Sequence, residues 1–365
     1  GVSGWHNGIP HSEAQDGLCN YSVRYTGRTL PSAAGIGNTD LFYTDDNGTY
    51  FVSTRDADGD KPWQEESISE PEKIIQEVNR STIKLSEERV QIPRTGRHFS
   101  AHNLWNGNTD GSTLFIPVAN ISEQVLAFLF IVVGSGFTVY DDLKTQTAGD
   151  LNDFIKSGLI DEKKKYPLSY LEQYILSTSS VEMGTMGHNM ALSLQPLGLG
   201  GWFYSGINPF SIMGYSAKKG IPGLGFEFEK KEEWGVPNPL GIKGVYESYS
   251  PPFCADMREA VERVIFKKFG PKGTYRDNSG PFSEKATILS ASEPSTEVTE
   301  CVVKIAEYIY NSYGKFPGTV PSIFIRFYVQ AHRLETAFYD RYFKENSYLS
   351  THLENVNQAK KIHSL

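Results

Sequence analysis

Residues 181–206 read VEMGTMGHNMALSLQPLGLGGWFYSG. Met183, Met186, Met190, Leu194 and Leu197 recur at intervals of three and four residues, the apolar period of a helix, while Gly184, Gly187, Ala191 and Ser193 leave little bulk between them. Such a helix can be approached closely. Pro196 cannot continue a helix interior, and Gly198, Gly200 and Gly201 open backbone angles closed to other residues, so the helix has to stop there. A buried helix with a glycine stop accounts for the pattern. So does a helix whose end turns toward a flat ligand lying close to the backbone.

The order of these residues resembles the helix and following turn of the nitroreductase-like flavoprotein family. There, a buried helix carrying an Asn, small residues and a Leu-Gly pair leads into a short turn whose backbone amides face the flavin ring. Asn189, the Leu197–Gly198 pair, and Ser205 with Gly206 hold those places in this chain. An isoalloxazine accepts hydrogen bonds at N5 and O4, and a backbone N–H supplies them without a titrating group. A second likeness lies in residues 77–90, EVNRSTIKLSEERV, which is similar to the family's Arg-Arg-Ser-x-Arg-x-Phe-Ser segment for the FMN phosphate. Arg80 and Ser81 match it, and a guanidinium with a hydroxyl can satisfy several phosphate oxygens. Asn79 stands where the first Arg is usual and Ile83 where a second cation is usual, with Lys84 one place later. Without the resemblance, the same residues read as an exposed helix end followed by a capping Ser86.

The resemblance implies an α+β fold, with a central, mostly antiparallel sheet flanked by helices. It divides the chain into a loop-rich arm (1–68), a nitroreductase-like core (69–214) and an extension packed on that core (215–365). It further implies FMN as cofactor, NAD(P)H as possible electron donor, a small electron-poor organic molecule as acceptor, and a homodimer. The FMN-binding residues it designates are Arg80, Ser81, Lys84, Asn189, Ser205 and Gly206. A flavin-free binding or structural protein on the same fold is a second reading, favoured by the substitutions at Asn79 and Ile83. A third is a metal-dependent enzyme using His98, His102, His332 and Glu335, whose spacings suit ligands only if the segments are helical and meet.

Composition bounds these readings. A chain of 365 residues that is 39% hydrophobic, 21% charged and 13% aromatic is globular and long enough for a sizeable core. The net charge of −8 argues against a general nucleic-acid surface, which needs a basic face. Cys19, Cys254 and Cys301 form no CxxC pair, so neither a zinc ribbon nor a disulfide framework is indicated and a cytoplasmic setting is the default. The longest apolar run, residues 125–136, is too short to span a bilayer. Sequons at Asn20, Asn47, Asn79 and Asn120 are compatible with secretion.

Along the chain, the Asn47-Gly48 pair predicts a hairpin over residues 41–52, and Pro71 opens a helix that delivers Arg80 and Ser81. Residues 113–119 form a strand candidate that Pro117 makes an edge or a bulged one. A Ser122-capped helix or second strand follows. Residues 141–180 read as helical, with Lys163, Lys164 and Lys165 as a solvated helix end, and residues 215–252 as extended segments joined by turns. Helices are predicted at 256–269, 300–313 and 324–343. His188 reads as a satisfied imidazole beside Asn189, and no Ser/His/Asp set or phosphate-binding GxxxxGK[ST] loop is present.

Overall fold

The computed structural model of the protein describes residues 38–52, 79, 82–194, 197, 199–270, 293–333, 336–345, 347 and 350–363. In chain order the strands are β1 (Thr39–Asp45), β2 (Gly48–Val52), β3 (Thr82–Ser86), β4 (Ser112–Asn120), β5 (Phe137–Asp141), β6 (Gln146–Thr147), β7 (Asp161–Pro167), β8 (Leu199–Tyr204), β9 (Glu227–Glu229), β10 (Asn238–Ile242), β11 (Tyr246–Glu247), β12 (Ile323–Phe324) and β13 (Tyr328–Arg333). The helices are α1 (Ile121–Gly134), α2 (Asn152–Lys156), α3 (Leu168–Leu194), α4 (Pro209–Met213), α5 (Met257–Phe269), α6 (Thr296–Tyr313), α7 (Thr336–Tyr342) and α8 (Ser350–His363).

The central sheet runs β3-β2-β1-β4-β13-β8, with every neighbouring pair antiparallel and β12 also pairing β4. It grows from the expected hairpin. Asp45 accepts from the Asn47 amide at 2.8 Å, and a Cβ at Gly48 would lie 2.4 Å from the Ser86 carbonyl oxygen, so only glycine fits beneath β3. The sheet draws strands from each of the three sequence segments: β1 and β2 precede residue 69, and β12 and β13 follow residue 214.

Side chains alternate across this sheet. Leu41, Tyr43, Phe115, Val329 and Ala331 pack on one face with Met186, Met190 and Leu194 of α3. Phe42, Leu114, Ile116 and Tyr328 pack on the other with Ile212, Phe226 and Tyr246 from the segment between α4 and β11. The N-terminal half of α3 leaves the sheet and joins α1, α5 and α6 in a helical core through Leu171, Ile175 and Met183. Two small sheets, β11-β10-β9 and β6-β5-β7, lie beside this frame. The molecule is therefore α+β with a mostly antiparallel central sheet and flanking helices.

Several sequence expectations change in physical context. Pro117 lies on the interior strand β4, not on an edge. It falls between the stretches of β4 paired to β13 and to β12, so on that side there is no ladder bond for a residue without an N–H to lose. The segment after β4 is the helix, not a strand, and its cap is Asn120. The Asn120 side chain accepts from the Glu123 amide at 3.2 Å and the Ser122 hydroxyl at 2.7 Å, while its Nδ2 donates to the Glu247 carbonyl, so the sequon there is buried structure. Residues 141–180 are only partly helical. Gly149 and Gly158 take φ of 104° and 82° and break the run, and Lys163, Lys164 and Lys165 sit on β7, parallel to β5, with the Lys165 ammonium 4.4 Å from the Tyr140 ring centre. Exposed charges on a strand discourage further pairing. The helix expected over 324–343 is β12, β13 and then α7. Tyr328 and Gln330 face one side while Val329 and Ala331 face the other, a two-residue period that only the neighbouring strands β4 and β8 make visible.

The helix α5 starts where expected, with Asp256 accepting from the Glu259 amide at 2.9 Å, whereas α6 starts at Thr296, ahead of the expected residue 300, where Ser295 accepts from the Val298 amide at 3.3 Å. The expected helix after Pro71 lies outside the described residues.

Candidate functional site

The helix α3 ends at Leu194, and β8 carries the chain to Ser205 and Gly206. The close approaches allowed by the glycines are made here by the protein itself. A Cβ at Gly187 would lie 2.2 Å from the Phe203 ring, and one at Gly201 would lie 2.0 Å from the Gln330 carbonyl oxygen. At Gly206 it would lie 2.0 Å from the Asn103 side-chain oxygen, and the Gly206 carbonyl accepts from the Ser100 amide at 2.7 Å. The loop carrying Ser100 and Asn103 thus closes one side of the turn. The other side is open: Ser205 is exposed, and among the described residues no acceptor engages the backbone N–H of Ser205 or Gly206. The nearest titrating group in sequence is Tyr204, whose hydroxyl is buried without a hydrogen-bond partner among the described residues, and burial pushes its pKa well up. The turn therefore offers neutral donors beside a phenol that stays protonated.

Asn189 is half-buried on α3, and its carbonyl accepts from the Ser193 hydroxyl at 2.8 Å. Lys84 is elsewhere. It lies on β3 at the opposite edge of the sheet from β8, five strand spacings or roughly 24 Å away. Its ammonium pairs with Glu87 and sits 5.8 Å from the Tyr50 ring centre, and the Glu87 hydrogen bond raises its pKa. Within one chain the structure does not bring Lys84 to Asn189, Ser205 and Gly206. Arg80 and Ser81 lie outside the described residues.

The histidines do not assemble. His98 precedes a single 3₁₀ turn at Ala101–Asn103, which carries His102, and its Nδ1 is 2.8 Å from the Ser211 hydroxyl. His332 is on β13, with Nε2 3.5 Å from the Tyr339 hydroxyl and its ring edge-on to Trp202. Glu335 lies outside the described residues, and among those described no group of three or more His, Cys, Asp or Glu could hold a metal ion.

A second site has no counterpart in the sequence reading. Residues 231–238 and 311–321 enclose a cleft of about 520 Å³ lined by Lys231, Trp234 and Lys315. The indole Nε1 of Trp234 donates to the Tyr313 carbonyl at 3.1 Å, and the Lys315 ammonium donates to the carbonyls of Pro317 and Val320 at 3.1 and 2.6 Å. Behind the lining, the buried Glu172 of α3 accepts from the amides of Gly318 and Thr319 at 2.7 and 2.6 Å and from the Thr319 hydroxyl at 2.5 Å. Burial pushes the Glu172 carboxyl up against those hydrogen bonds and pulls Lys315 down to about 8. Both shifts penalise the charged form, as expected of a lysine and a carboxylate that form no ion pair within 4.0 Å. Lysines 231 and 315 are 84 residues apart and flanked by ordinary loop composition, so only the folded chain pairs them.

Among the described residues no helix is long and apolar enough to cross a membrane. No protein-family model matches the chain, and no curated protein is significantly similar to it.

Proposed function

We propose that the protein is an FMN-dependent oxidoreductase acting on a small electron-poor organic acceptor, with the flavin ring against the Ser205–Gly206 turn. The observation that carries this reading is the pair of consecutive backbone N–H groups, of Ser205 and Gly206 after β8, that find no acceptor among the described residues, with Ser205 exposed. An antiparallel α+β frame with a long, small-residue helix beside that turn is consistent with it. Bound FMN would supply hydride transfer between a reduced nicotinamide and the acceptor. The chain's own part would be placement. Ser205 and Gly206 would donate to the ring edge, Asn189 would support the turn from α3, Tyr204 would remain uncharged, and Arg80 with Ser81 would hold the phosphate. Lys84 would join only from a second copy.

A homodimer belongs to the same proposal. The outer face of α3 exposes Tyr170, Tyr174, Val181 and Leu192, with Val181 and Leu192 59% and 61% accessible, residues that the helical period puts on one side and that suit a partner. A cytoplasmic setting fits Cys254 and Cys301, both free and buried. A flavin-free binding protein on the same frame is favoured by one observation: Asn103 already fills the space at Gly206.

The absorbance spectrum of the purified protein, followed by FMN titration, separates the two. Flavin bands, or saturable FMN uptake with one equivalent per chain, support the oxidoreductase. A colourless protein that takes up no added FMN refutes it.

A further inference from the structure

Two lysines face the cleft at 231–238 and 311–321; Glu233 also lines it, but neither ammonium lies within 4.0 Å of a carboxylate among the described residues. The Nζ atoms of Lys231 and Lys315 lie 5.2 and 6.0 Å from the centre of the Trp234 ring. Neither forms an ion pair with any described residue. Their acceptors are backbone carbonyls: Gly314 for Lys231 at 3.4 Å, and Pro317 and Val320 for Lys315. An ammonium has three donors, so each lysine keeps at least one N–H beyond these carbonyls.

The positions are built into the backbone. Gly314 caps α6 with φ of 70°, and a Cβ there would lie 2.3 Å from the Lys231 Nζ, so this glycine is what lets the ammonium rest against the chain. The hydrogen bond from the indole to Tyr313 holds Trp234 in place. Glu172 does not neutralise the site. Both its oxygens are engaged by residues 318 and 319, and it is not among the residues lining the cleft. Burial, opposed only in part by Glu172, draws Lys315 down to about 8, the response of an ammonium withdrawn from water without an anion beside it. The volume, about 520 Å³, is that of a small-molecule site.

We propose that this cleft binds a small organic oxyanion, a carboxylate or phosphate monoester, held by the ammonium groups of Lys231 and Lys315 over the Trp234 indole. The site shares no lining residue with the Ser205–Gly206 turn, and the proposal stands or falls independently of flavin binding. Titration calorimetry on the full chain with benzoate, phenyl phosphate and benzamide tests it. One or both anions are expected to bind saturably, with benzamide at least about tenfold weaker, and Lys231→Met to weaken anion binding by about tenfold without moving the thermal transition. Equal binding of benzamide, wild-type affinity in Lys231→Met, or no saturation by either anion overturns the proposal.

Lys315→Met also removes hydrogen bonds to two carbonyls, so Lys315 is tested in the unaltered protein. Near pH 8, binding of the anion should take up protons, seen as a heat that depends on the ionisation enthalpy of the buffer. Facing Lys315 are Lys231 and Glu233 across the cleft, Glu172 from α3 and Tyr313 on α6. Anion binding with no proton uptake removes Lys315 from the site and overturns the proposal.

Discussion

The turn at Ser205 and Gly206 and the cleft at Lys231 and Lys315 would meet the proposed ligands by opposite means. The turn presents backbone amides, which carry no net charge and do not titrate. The cleft presents two ammonium groups, and burial draws that of Lys315 down to about 8. The residues of the turn follow one another in the chain, so their pattern is present before folding. The cleft joins the end of α6 to the segment before β10, and neither stretch looks unusual alone. Neutral, local sites leave a sequence pattern, whereas charged sites assembled across the fold leave electrostatic strain that is visible only in three dimensions.

The largest effect should come from the support of the cleft. Glu172→Ala leaves the buried amide of Gly318 without its acceptor and frees the part-buried amide of Thr319, which should cost about 2 kcal/mol, read from the urea midpoint of unfolding. A loss well under 1 kcal/mol would show that Glu172 does not hold the cleft wall.

The pH dependence of stability should come next. Lys315 has a folded pKa of about 8 against an ordinary value of 10.5, so the folded state binds fewer protons than the unfolded state between these values. Stability should therefore rise with pH across that window. The penalty is present in full below pH 8 and fades toward 10.5, and at 1.36 kcal/mol per pH unit it amounts to at most about 3 kcal/mol. Comparing denaturant unfolding of the wild type with Lys315→Met at pH 8 and pH 10 isolates it. Parallel curves for the two proteins would contradict the burial of this charge.

At the proposed flavin site, Arg80→Ala should weaken FMN by about 1.5–3 kcal/mol, since a charge-assisted phosphate contact is lost. Unchanged affinity removes Arg80 from the phosphate site. Gly187→Ala should destabilise the protein by about 1–2 kcal/mol, because the new methyl meets the Phe203 ring two residues before the turn. Its effect should appear in FMN binding and leave anion binding at the cleft unchanged. The smallest effect is expected of Lys84→Ala, whose exposed pair with Glu87 lies at the far edge of the sheet. FMN titration of a monomeric form should not distinguish it from wild type, and a clear loss there would bring β3 into the site.

Much of the frame was legible from residues alone. Asn47-Gly48 marks the hairpin, Asp256 marks the start of α5, and the methionine spacing marks the long helix α3. Each of these signals is local, a turn geometry, a cap or a helical period. Where the signal was not local the reading failed. The aromatic run through Tyr328 is apolar at both helical and strand spacings, and only pairing with β4 and β8 selects the strand. Lysines 163–165 read as a helix end because a charged strand beside β5 has no sequence signature of its own. The site shows the same division: Ser205 and Gly206 were named in advance, whereas the Lys231–Lys315 cleft was not.

By itself, then, the sequence determined a small-residue helix running into a glycine-rich end, together with a hairpin and a capped helix elsewhere, because helical period, capping and glycine freedom act within a few residues. Only the tertiary structure decided that Gly187 and Gly206 are approached by Phe203 and Asn103, that Lys84 lies an entire sheet away from the turn, and that two distant lysines share one cleft. Those outcomes depend on side-chain volume and on charge removed from water, which are fixed by the packing of segments far apart in the chain.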